Sequence, residues 1–207
     1  MANRRVGLDL DGCLVDWNPA FARLLAEAHG SDLLPEGWQS MGHEAFPCWD
    51  WYQHYGYPAV SVELARHNLY EDVTFWHKLD ALPEAQEVLD VLAYCVDADE
   101  IDLYFITQRG GCRVKQQTEM WLYDRGITTP TVLVTGDKVP VIQGLGLEFY
   151  IDDRLDTMEA ALAAGCPGIY LLDRPWNRTK PDPGLPVVYS VAEAMLDAWL
   201  WVDLSAV

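Results

Sequence analysis

The stretch Val6-Gly7-Leu8-Asp9-Leu10-Asp11-Gly12-Cys13-Leu14-Val15 decides how this chain folds. Its first half is an apolar, β-type run. The whole stretch contains two acids, Asp9 and Asp11, separated by one residue. Alternate residues of a strand share one face, and Gly12 permits a turn that would aim both carboxylates at one ligand. Aspartates at this place weaken a sheet, which favours a functional role for Asp9 and Asp11. An ordinary Asp-Gly turn after a strand is the alternative.

Apolar, β-type stretches alternate with helical periodicity over most of the chain. We predict strands at 6–10, 101–107, 131–135, 147–151 and 168–172, and helices at 83–96, 112–125, 155–164 and 190–202, the last with Trp199 and Trp201 packed inward. This alternation implies a parallel sheet covered on both faces, with ligands bound beyond the carboxyl ends of the strands. The predicted fold class is therefore α/β, with a doubly wound parallel sheet.

Residues 18–75 interrupt this rhythm. The segment begins with a helix-like run at 19–29 and then becomes rich in aromatic residues, glycine and proline. A second helix is expected to open at Ser61, with the serine as its N-cap. We predict that residues 18–75 form a small, mainly helical inserted cap, and that residues 1–17 and 76–207 form the core domain.

The charge of the chain restricts its partners. Its 207 residues include 32 Asp and Glu against 14 Lys and Arg, which gives a formal net charge of −18. A surface of this sign repels nucleic-acid backbones and anionic membranes, so we expect neither polymeric nucleic acid nor a membrane as a partner. A small anionic substrate remains compatible, because a bound metal ion and local cations can reverse the field inside a pocket.

Cysteine usage and the N-terminus indicate the compartment. The five cysteines are odd in number, scattered and without a CxxC pair, which predicts neither a disulfide framework nor a zinc site. The N-terminus lacks the pattern of a signal peptide, and no apolar run approaches the roughly 18 residues that span a bilayer. We therefore expect a cytoplasmic protein. The sequence leaves the oligomeric state open, with a homodimer as one alternative.

A second pair of acids, Asp152 and Asp153, lies at the end of another predicted strand. Hard oxygen ligands suit Mg²⁺, which takes one or two carboxylates plus substrate phosphate and keeps several waters. If the two strand ends are neighbours, Asp9, the main-chain carbonyl of Asp11 and one acid of the second pair form such a site. An ordinary helix cap before the helix at 155–164 is the alternative.

Two further strand ends carry groups suited to phosphate. Thr107, Gln108 and Arg109 follow the second predicted strand, and Lys138 follows the third. A hydroxyl and an ammonium placed there would bind a phosphoryl group and neutralise developing charge. Each signal is weak alone, because a Thr often ends a strand and a single Lys is usually a solvated surface residue.

In their order along the chain, these motifs resemble those of the haloacid dehalogenase (HAD) superfamily. The resemblance covers everything outside the cap and implies a Rossmann-like core with Mg²⁺ as cofactor. It implies that Asp9 is the nucleophile that forms an aspartyl-phosphate, and that Asp11 acts as general acid and then as base. Two residue sets follow from it: for phosphate, Thr107, Gln108, Arg109 and Lys138; for the metal, Asp9, Asp11, Asp152 and Asp153, with Asp153 favoured over Asp152 as the direct ligand.

Within that superfamily the chain is similar to the 5′(3′)-deoxyribonucleotidases. The likeness rests on Asp16-Trp17 after the first motif, on the segment 75–85 that leads back into the core, and on Ile151-Asp152-Asp153-Arg154. Thr107-Gln108-Arg109 departs from the Thr-Ser-Pro usual there. The likeness implies a nucleoside monophosphate as the small phosphorylated substrate. Trp17 and Trp76 flank the two cap junctions and are predicted to stack a nucleobase, the alternative being rings that only build a cap core.

Other functions on the same scaffold are a phosphatase of another metabolite, a non-catalytic regulatory or binding module, a dehalogenase and a phosphomutase. Loss of the nucleophile would reveal a non-catalytic module, and Asp9 is present. The dehalogenases have a similar first motif that lacks the second acid, so the presence of Asp11 favours phosphoryl chemistry. Hydrolysis and mutase activity are left open, although a cap that admits water favours hydrolysis.

Overall fold

The computed structural model describes residues 3–178 and 184–205. Within this part a parallel sheet contains six strands: β1 (Arg4–Leu8), β2 (Ile101–Thr107), β3 (Val132–Val134), β4 (Phe149–Asp152), β5 (Ile169–Leu172) and β6 (Val187–Val188). Their order across the sheet is β3-β2-β1-β4-β5-β6. Strand β1 is central and pairs with β2 on one side and β4 on the other. The prediction of an α/β fold with a doubly wound parallel sheet is confirmed.

Helices connect the strands and cover the sheet. They are α1 (Trp17–His29), α2 (Trp51–His54), α3 (Ala59–Glu71), α4 (Ala85–Asp97), α5 (Val114–Tyr123), α6 (Val139–Leu145), α7 (Leu155–Ala163) and α8 (Val191–Ser205). Buried residues form two hydrophobic clusters, one on each face of the sheet. In β4, Phe149 and Ile151 belong to the larger cluster and Tyr150 to the smaller, as the alternation of side chains along a strand requires.

Several local predictions differ from the structure. Strand β1 ends at Leu8 rather than Leu10. Helix α3 begins at Ala59 after Pro58, so the prediction that Ser61 caps it was wrong; the Ser61 hydroxyl instead lies 3.3 Å from Nδ1 of His29. Helix α6 and strand β6 were not predicted, because seven and two residues are too short to show a period. The packing predicted for Trp199 and Trp201 lies outside the described side chains.

A helical insertion occupies the connection between β1 and β2. Its two linkers run side by side: the Asp16 N–H donates to the Asp80 carbonyl over 3.0 Å, and the Leu82 N–H donates to the Leu14 carbonyl over 2.9 Å. Helices α1 and α3 pack against each other within the insertion. The larger hydrophobic cluster runs continuously from this insertion into the sheet. The cap boundaries at residues 18 and 75 stay a prediction.

Among the described residues, no helix combines the length and the apolar character that crossing a bilayer demands.

Candidate active site

The first motif lies at the carboxyl end of the central strand. Asp9 follows β1 directly, is buried, and donates its N–H to the Ile151 carbonyl of β4 over 3.0 Å. The chain then turns at Gly12, whose φ is 79°. A Cβ at Gly12 would collide with the carboxylate of Asp153, so both the backbone conformation and the space demand glycine. This close approach brings the first motif and the second acid pair together.

Lys138 connects Asp9 to Asp152. Its Nζ lies 2.8 Å from Oδ1 of Asp9 and 2.8 Å from Oδ2 of Asp152, and all three side chains are buried. Burial lowers the pKa of Lys138, but the charges and hydrogen bonds of Asp152 and Asp9 outweigh burial and raise that pKa above its ordinary value. Lys138 is therefore a permanently charged group beside the predicted nucleophile.

The two acids of the second pair have different surroundings. Asp152 accepts hydrogen bonds from Lys138, from the Tyr150 hydroxyl at 2.7 Å and from the Arg154 N–H at 2.8 Å. Asp153 is equally buried, yet its Oδ1 has no hydrogen-bond partner among the described residues. Asp152 is thus directed at Lys138, whereas Asp153 keeps a free oxygen beside the first motif. An unpartnered buried carboxylate oxygen is costly unless a cation or water satisfies it.

Asp9, Cys13 and Asp153 each place a ligand atom within 4.8 Å of the other two. Burial raises the pKa of Asp9 to about 7 against the opposing charge of Lys138, and burial with neighbouring carboxylates raises the pKa of Asp153 well above its usual range. Charged carboxylates so close together need a cation. Their oxygens fit Mg²⁺, which prefers hard donors, while the softer Cys13 sulfur does not suit that ion.

Thr107 ends β2 beside this group of acids. Its side chain is fully buried, and its hydroxyl oxygen has no hydrogen-bond partner among the described residues. Gln108 is directed elsewhere, because its amide donates to the Gly136 carbonyl at 2.5 Å and accepts from Arg154 at 2.7 Å. Of Thr107 and Gln108, two of the four predicted phosphate-binding residues, only Thr107 has a polar side-chain atom that the described residues leave buried and unsatisfied.

Arg109 is committed to Asp11 in this structure. Its Nε and Nη2 lie 2.9 and 2.7 Å from the two carboxylate oxygens of Asp11, and its Nη1 donates to the Thr118 hydroxyl at 3.0 Å. The guanidinium also lies over the Trp76 ring, 4.8 Å from its centroid. The phosphate-binding role predicted for Arg109 stays a prediction, and it would require part of this bidentate pair to open.

Seven of the ten predicted site residues line one cavity of about 500 Å³ at this edge of the sheet, whereas Thr107, Asp152 and Asp153 do not; the seven are Asp9, Asp11, Trp17, Trp76, Gln108, Arg109 and Lys138. Trp17 and Trp76 both line it, from the two ends of the insertion. Trp17 is half-buried and packs on Phe21 at 5.2 Å between ring centroids. Trp76 is buried, donates its indole N–H to the Gly110 carbonyl at 2.9 Å, and accepts the Arg109 stack. Trp76 therefore has a structural role in addition to any contact with a ligand.

Sequence reasoning missed several residues of this region. The cavity is also lined by Arg66, Leu69, Tyr70 and Arg154. Behind the metal candidates, Trp176 and Asn177 donate to the Asp153 carbonyl, and Arg174 donates to the Gly12 carbonyl at 2.8 Å. The spacing of Arg66, Leu69 and Tyr70 at i, i+3 and i+4 on α3 was the signal available for the first group. No sequence signal was available for Arg174, Trp176 and Asn177, since their contacts join residues more than 20 positions apart.

A family model for the cytosolic type C 5′-nucleotidases, described as "5′ nucleotidase, deoxy (Pyrimidine), cytosolic type C protein", matches residues 3–183. The chain belongs to this family. It is a phosphoric monoester hydrolase of the HAD type, and the predicted membership of that superfamily is confirmed. A comparison with curated proteins finds no match.

Solved structures of other proteins share this fold. A protein from Clostridium difficile described as a phosphatase has a TM-score of 0.60 and 16% identity, over 96% of this chain and 99% of that one. A haloacid dehalogenase-like family hydrolase from Streptococcus pneumoniae has a TM-score of 0.55 and 13% identity, over 94% and 97%. The HAD-hydrolase YfnB from Bacillus subtilis, described as bound to magnesium, has a TM-score of 0.55 and 18% identity, over 93% and 97%.

Proposed function

We propose that this nucleotidase-family hydrolase removes the phosphate of nucleoside monophosphates through an aspartyl-phosphate on Asp9, with Mg²⁺ as cofactor. The observation that carries the proposal is the floor of the cavity. There the Asp9 carboxylate and the Lys138 ammonium lie under walls that include Trp17 and Trp76, and the unsatisfied hydroxyl of Thr107 lies buried at the neighbouring strand end. Hydrolysis of a phosphomonoester needs such a nucleophile beside phosphate-binding donors.

The first step would be attack by an Asp9 oxygen on phosphorus. The bond between phosphorus and the ester oxygen breaks, and Asp11 gives its proton to the departing oxygen. Lys138 holds one oxygen of Asp9 and thereby orients the carboxylate. Thr107 and Lys138 donate hydrogen bonds to the phosphoryl oxygens, on which negative charge accumulates.

In the second step water attacks the phosphorus of the aspartyl-phosphate, and Asp11 accepts its proton. The bond between phosphorus and the Asp9 oxygen breaks, which releases inorganic phosphate and restores the Asp9 carboxylate. The Asp11 carboxylate accepts two hydrogen bonds from Arg109, an acceptor geometry that supports its role as base in this step. To donate a proton in the first step, Asp11 must be protonated and loosen its contacts with Arg109. The donors released on Arg109 would then be available to the phosphoryl group.

Asp9, the main-chain carbonyl of Asp11 and Asp153 would hold Mg²⁺, while Asp152 positions Lys138. The ion supplies positive charge that offsets the carboxylates and the transferring phosphoryl group. We also place the reaction in the cytoplasm. The family is described as cytosolic, which supports that location, and the five described cysteines are free thiols.

Magnesium dependence tests this proposal directly. Excess chelator should abolish phosphate release from a nucleoside monophosphate, Mg²⁺ should restore it, and Ca²⁺ should not, because Ca²⁺ prefers more ligands at longer distances. Protons compete with the metal for Asp9, whose pKa is about 7 without metal, so apparent Mg²⁺ affinity should fall as the pH drops below that value. Full activity in excess chelator would contradict the metal assignment.

Truncation of Trp17 tests the nucleotide part of the proposal. If its ring stacks a base, Trp17→Ala should lower kcat/KM for a nucleoside monophosphate by roughly 10–100-fold, since base stacking is worth about 1–3 kcal/mol. Turnover of a small aryl phosphate should fall much less. Trp76→Ala should in addition lower the melting temperature, because Trp76 is buried and hydrogen-bonded. If Trp17→Ala lowered kcat/KM equally for both substrates and also lowered the melting temperature, the role of Trp17 would be structural.

A further inference from the structure

Four cationic side chains line the cavity, and three are already paired. Arg109 pairs with Asp11, Lys138 pairs with Asp9 and Asp152, and Arg154 pairs with Asp156. The fourth is Arg66, and in the described part of the chain no carboxylate lies within ion-pair distance of it. Among the described residues, Arg66 is thus the cavity cation without a direct ion pair, in a chain with a net charge of −18.

The guanidinium of Arg66 is held in position by one neutral partner. Its Nη2 donates to the Tyr52 hydroxyl at 3.0 Å, and the group lies 5.5 Å from the centroid of the Tyr52 ring. The Tyr52 hydroxyl in turn donates to the Asp50 carboxylate at 2.8 Å. This arrangement fixes the long side chain, and within residues 3–178 and 184–198 its other N–H groups have no acceptor. A side chain held before binding loses less conformational entropy when a ligand arrives.

Arg66 lies at the end of the cavity that would receive the leaving group. It shares one face of α3 with Leu69 and Tyr70, which also line the cavity. Helix α3 belongs to the insertion, whereas the nucleophile and the phosphate donors Thr107 and Lys138 belong to the core strand ends. A phosphomonoester bound at the core would therefore extend its leaving group towards α3.

We propose that Arg66 binds a second anionic group on the leaving group, so that the preferred substrates are nucleotides that carry a further phosphate or carboxylate. The inference rests on the proposed function. The planar guanidinium matches the two oxygens of a phosphate or carboxylate, and Lys cannot reproduce that geometry. On a strongly acidic protein a second anion away from the phosphoryl site is stabilised best beside a cation without an ion pair, so Arg66 decides whether a doubly anionic nucleotide is accepted.

Three uracil-type nucleotides test this: uridine 5′-monophosphate, uridine 3′,5′-bisphosphate and orotidine 5′-monophosphate, which carries a carboxylate on its base. The wild type should favour the bisphosphate or the orotidine nucleotide over uridine monophosphate in kcat/KM. In Arg66→Gln the kcat/KM for the favoured substrate should fall by about 10–100-fold, mainly through a higher KM, as expected for the loss of one charge-assisted contact. The kcat/KM for uridine monophosphate should change less than about threefold in Arg66→Gln. The Arg66→Lys variant should keep part of the kcat/KM that Arg66→Gln loses with the favoured substrate.

The matched control is Arg23→Gln, which removes an exposed cation of the insertion that does not line the cavity. It should leave all three substrates unchanged. Raising the ionic strength should shrink the wild-type advantage of the favoured substrate and should have little effect in Arg66→Gln. Whether the bisphosphate or the carboxylate nucleotide is favoured identifies the second group.

Two results would overturn the inference while leaving the proposed function intact. One is a wild type that prefers uridine monophosphate to both doubly anionic nucleotides. The other is an Arg66→Gln variant that changes all three substrates by the same factor. Hydrolysis of an aryl phosphate with no turnover of any nucleotide would instead refute the nucleotide assignment, and the inference with it.

Discussion

Replacing Asp9 with asparagine should reduce phosphate release by more than about 10³-fold, because the amide is a far weaker nucleophile and a poorer metal ligand than the carboxylate. The substitution preserves the size of the side chain and one oxygen for Lys138. Steady-state phosphate release with saturating Mg²⁺ measures the effect. If the variant kept more than a tenth of wild-type activity, Asp9 would not be the nucleophile.

Thermal unfolding in chelator separates this chemical effect from loss of structure. Burial raises the pKa of Asp9 from 3.8 to about 7. The folded state therefore binds its proton more tightly than the unfolded state, and the ionised carboxylate costs stability once the pH rises through this range. Above pH 7 Asp9→Asn should be more stable than the wild type without metal, by roughly 2–8 °C in Tm. A lower Tm would mean that the side chain has a structural role.

Asp11→Asn should slow turnover of a nucleoside monophosphate by about 10²–10⁴-fold, the usual contribution of a general acid or base. With an aryl phosphate, Asp11→Asn should affect formation and hydrolysis of the aspartyl-phosphate differently, because the aryl leaving group departs without protonation. Its first step should remain fast, while hydrolysis of the aspartyl-phosphate should be slow because no base activates the water. Rapid-mixing kinetics should then show a burst of one phenolate per enzyme followed by slow release.

Absence of a burst, with the same loss for both substrates, would contradict the acid and base roles of Asp11. It would favour the view that Asp11 mainly holds Arg109. Arg109→Gln serves as the comparison, since it removes the cation but leaves the Asp11 carboxylate in place. It should affect both substrates and produce no burst.

The sequence was sufficient to predict the sheet and the set of acids at its edge, for a simple physical reason. Carboxyl ends of parallel strands meet at one edge, so motifs that each follow an apolar strand must come together. Asp9, Thr107, Lys138 and Asp153 all follow this rule. Their grouping depends on strand order and direction rather than on side-chain detail, and these are what hydrophobic patterning determines.

Other features depend on contacts that a pattern does not encode. Adjacent residues at a strand end point in different directions, and only the structure shows that Asp152 faces Lys138 while Asp153 faces Gly12. The Arg109 pair with Asp11 joins residues 98 positions apart. The net charge of −18 carries no information on the cavity, which four cationic side chains line. Global charge and local charge are independent quantities.

The paired linkers Leu14–Asp16 and Asp80–Leu82 bear on how such an enzyme can change over evolutionary time. Because the chain leaves and re-enters the core at neighbouring points, the insertion can be lengthened, shortened or exchanged without altering strand order. The entropic cost of closing a longer loop rises only by about 0.6 kcal/mol per doubling of its length. If the core strand ends carry the phosphoryl chemistry and the insertion carries recognition, as proposed above, new substrates can be acquired by changing the insertion while the catalytic groups stay in place.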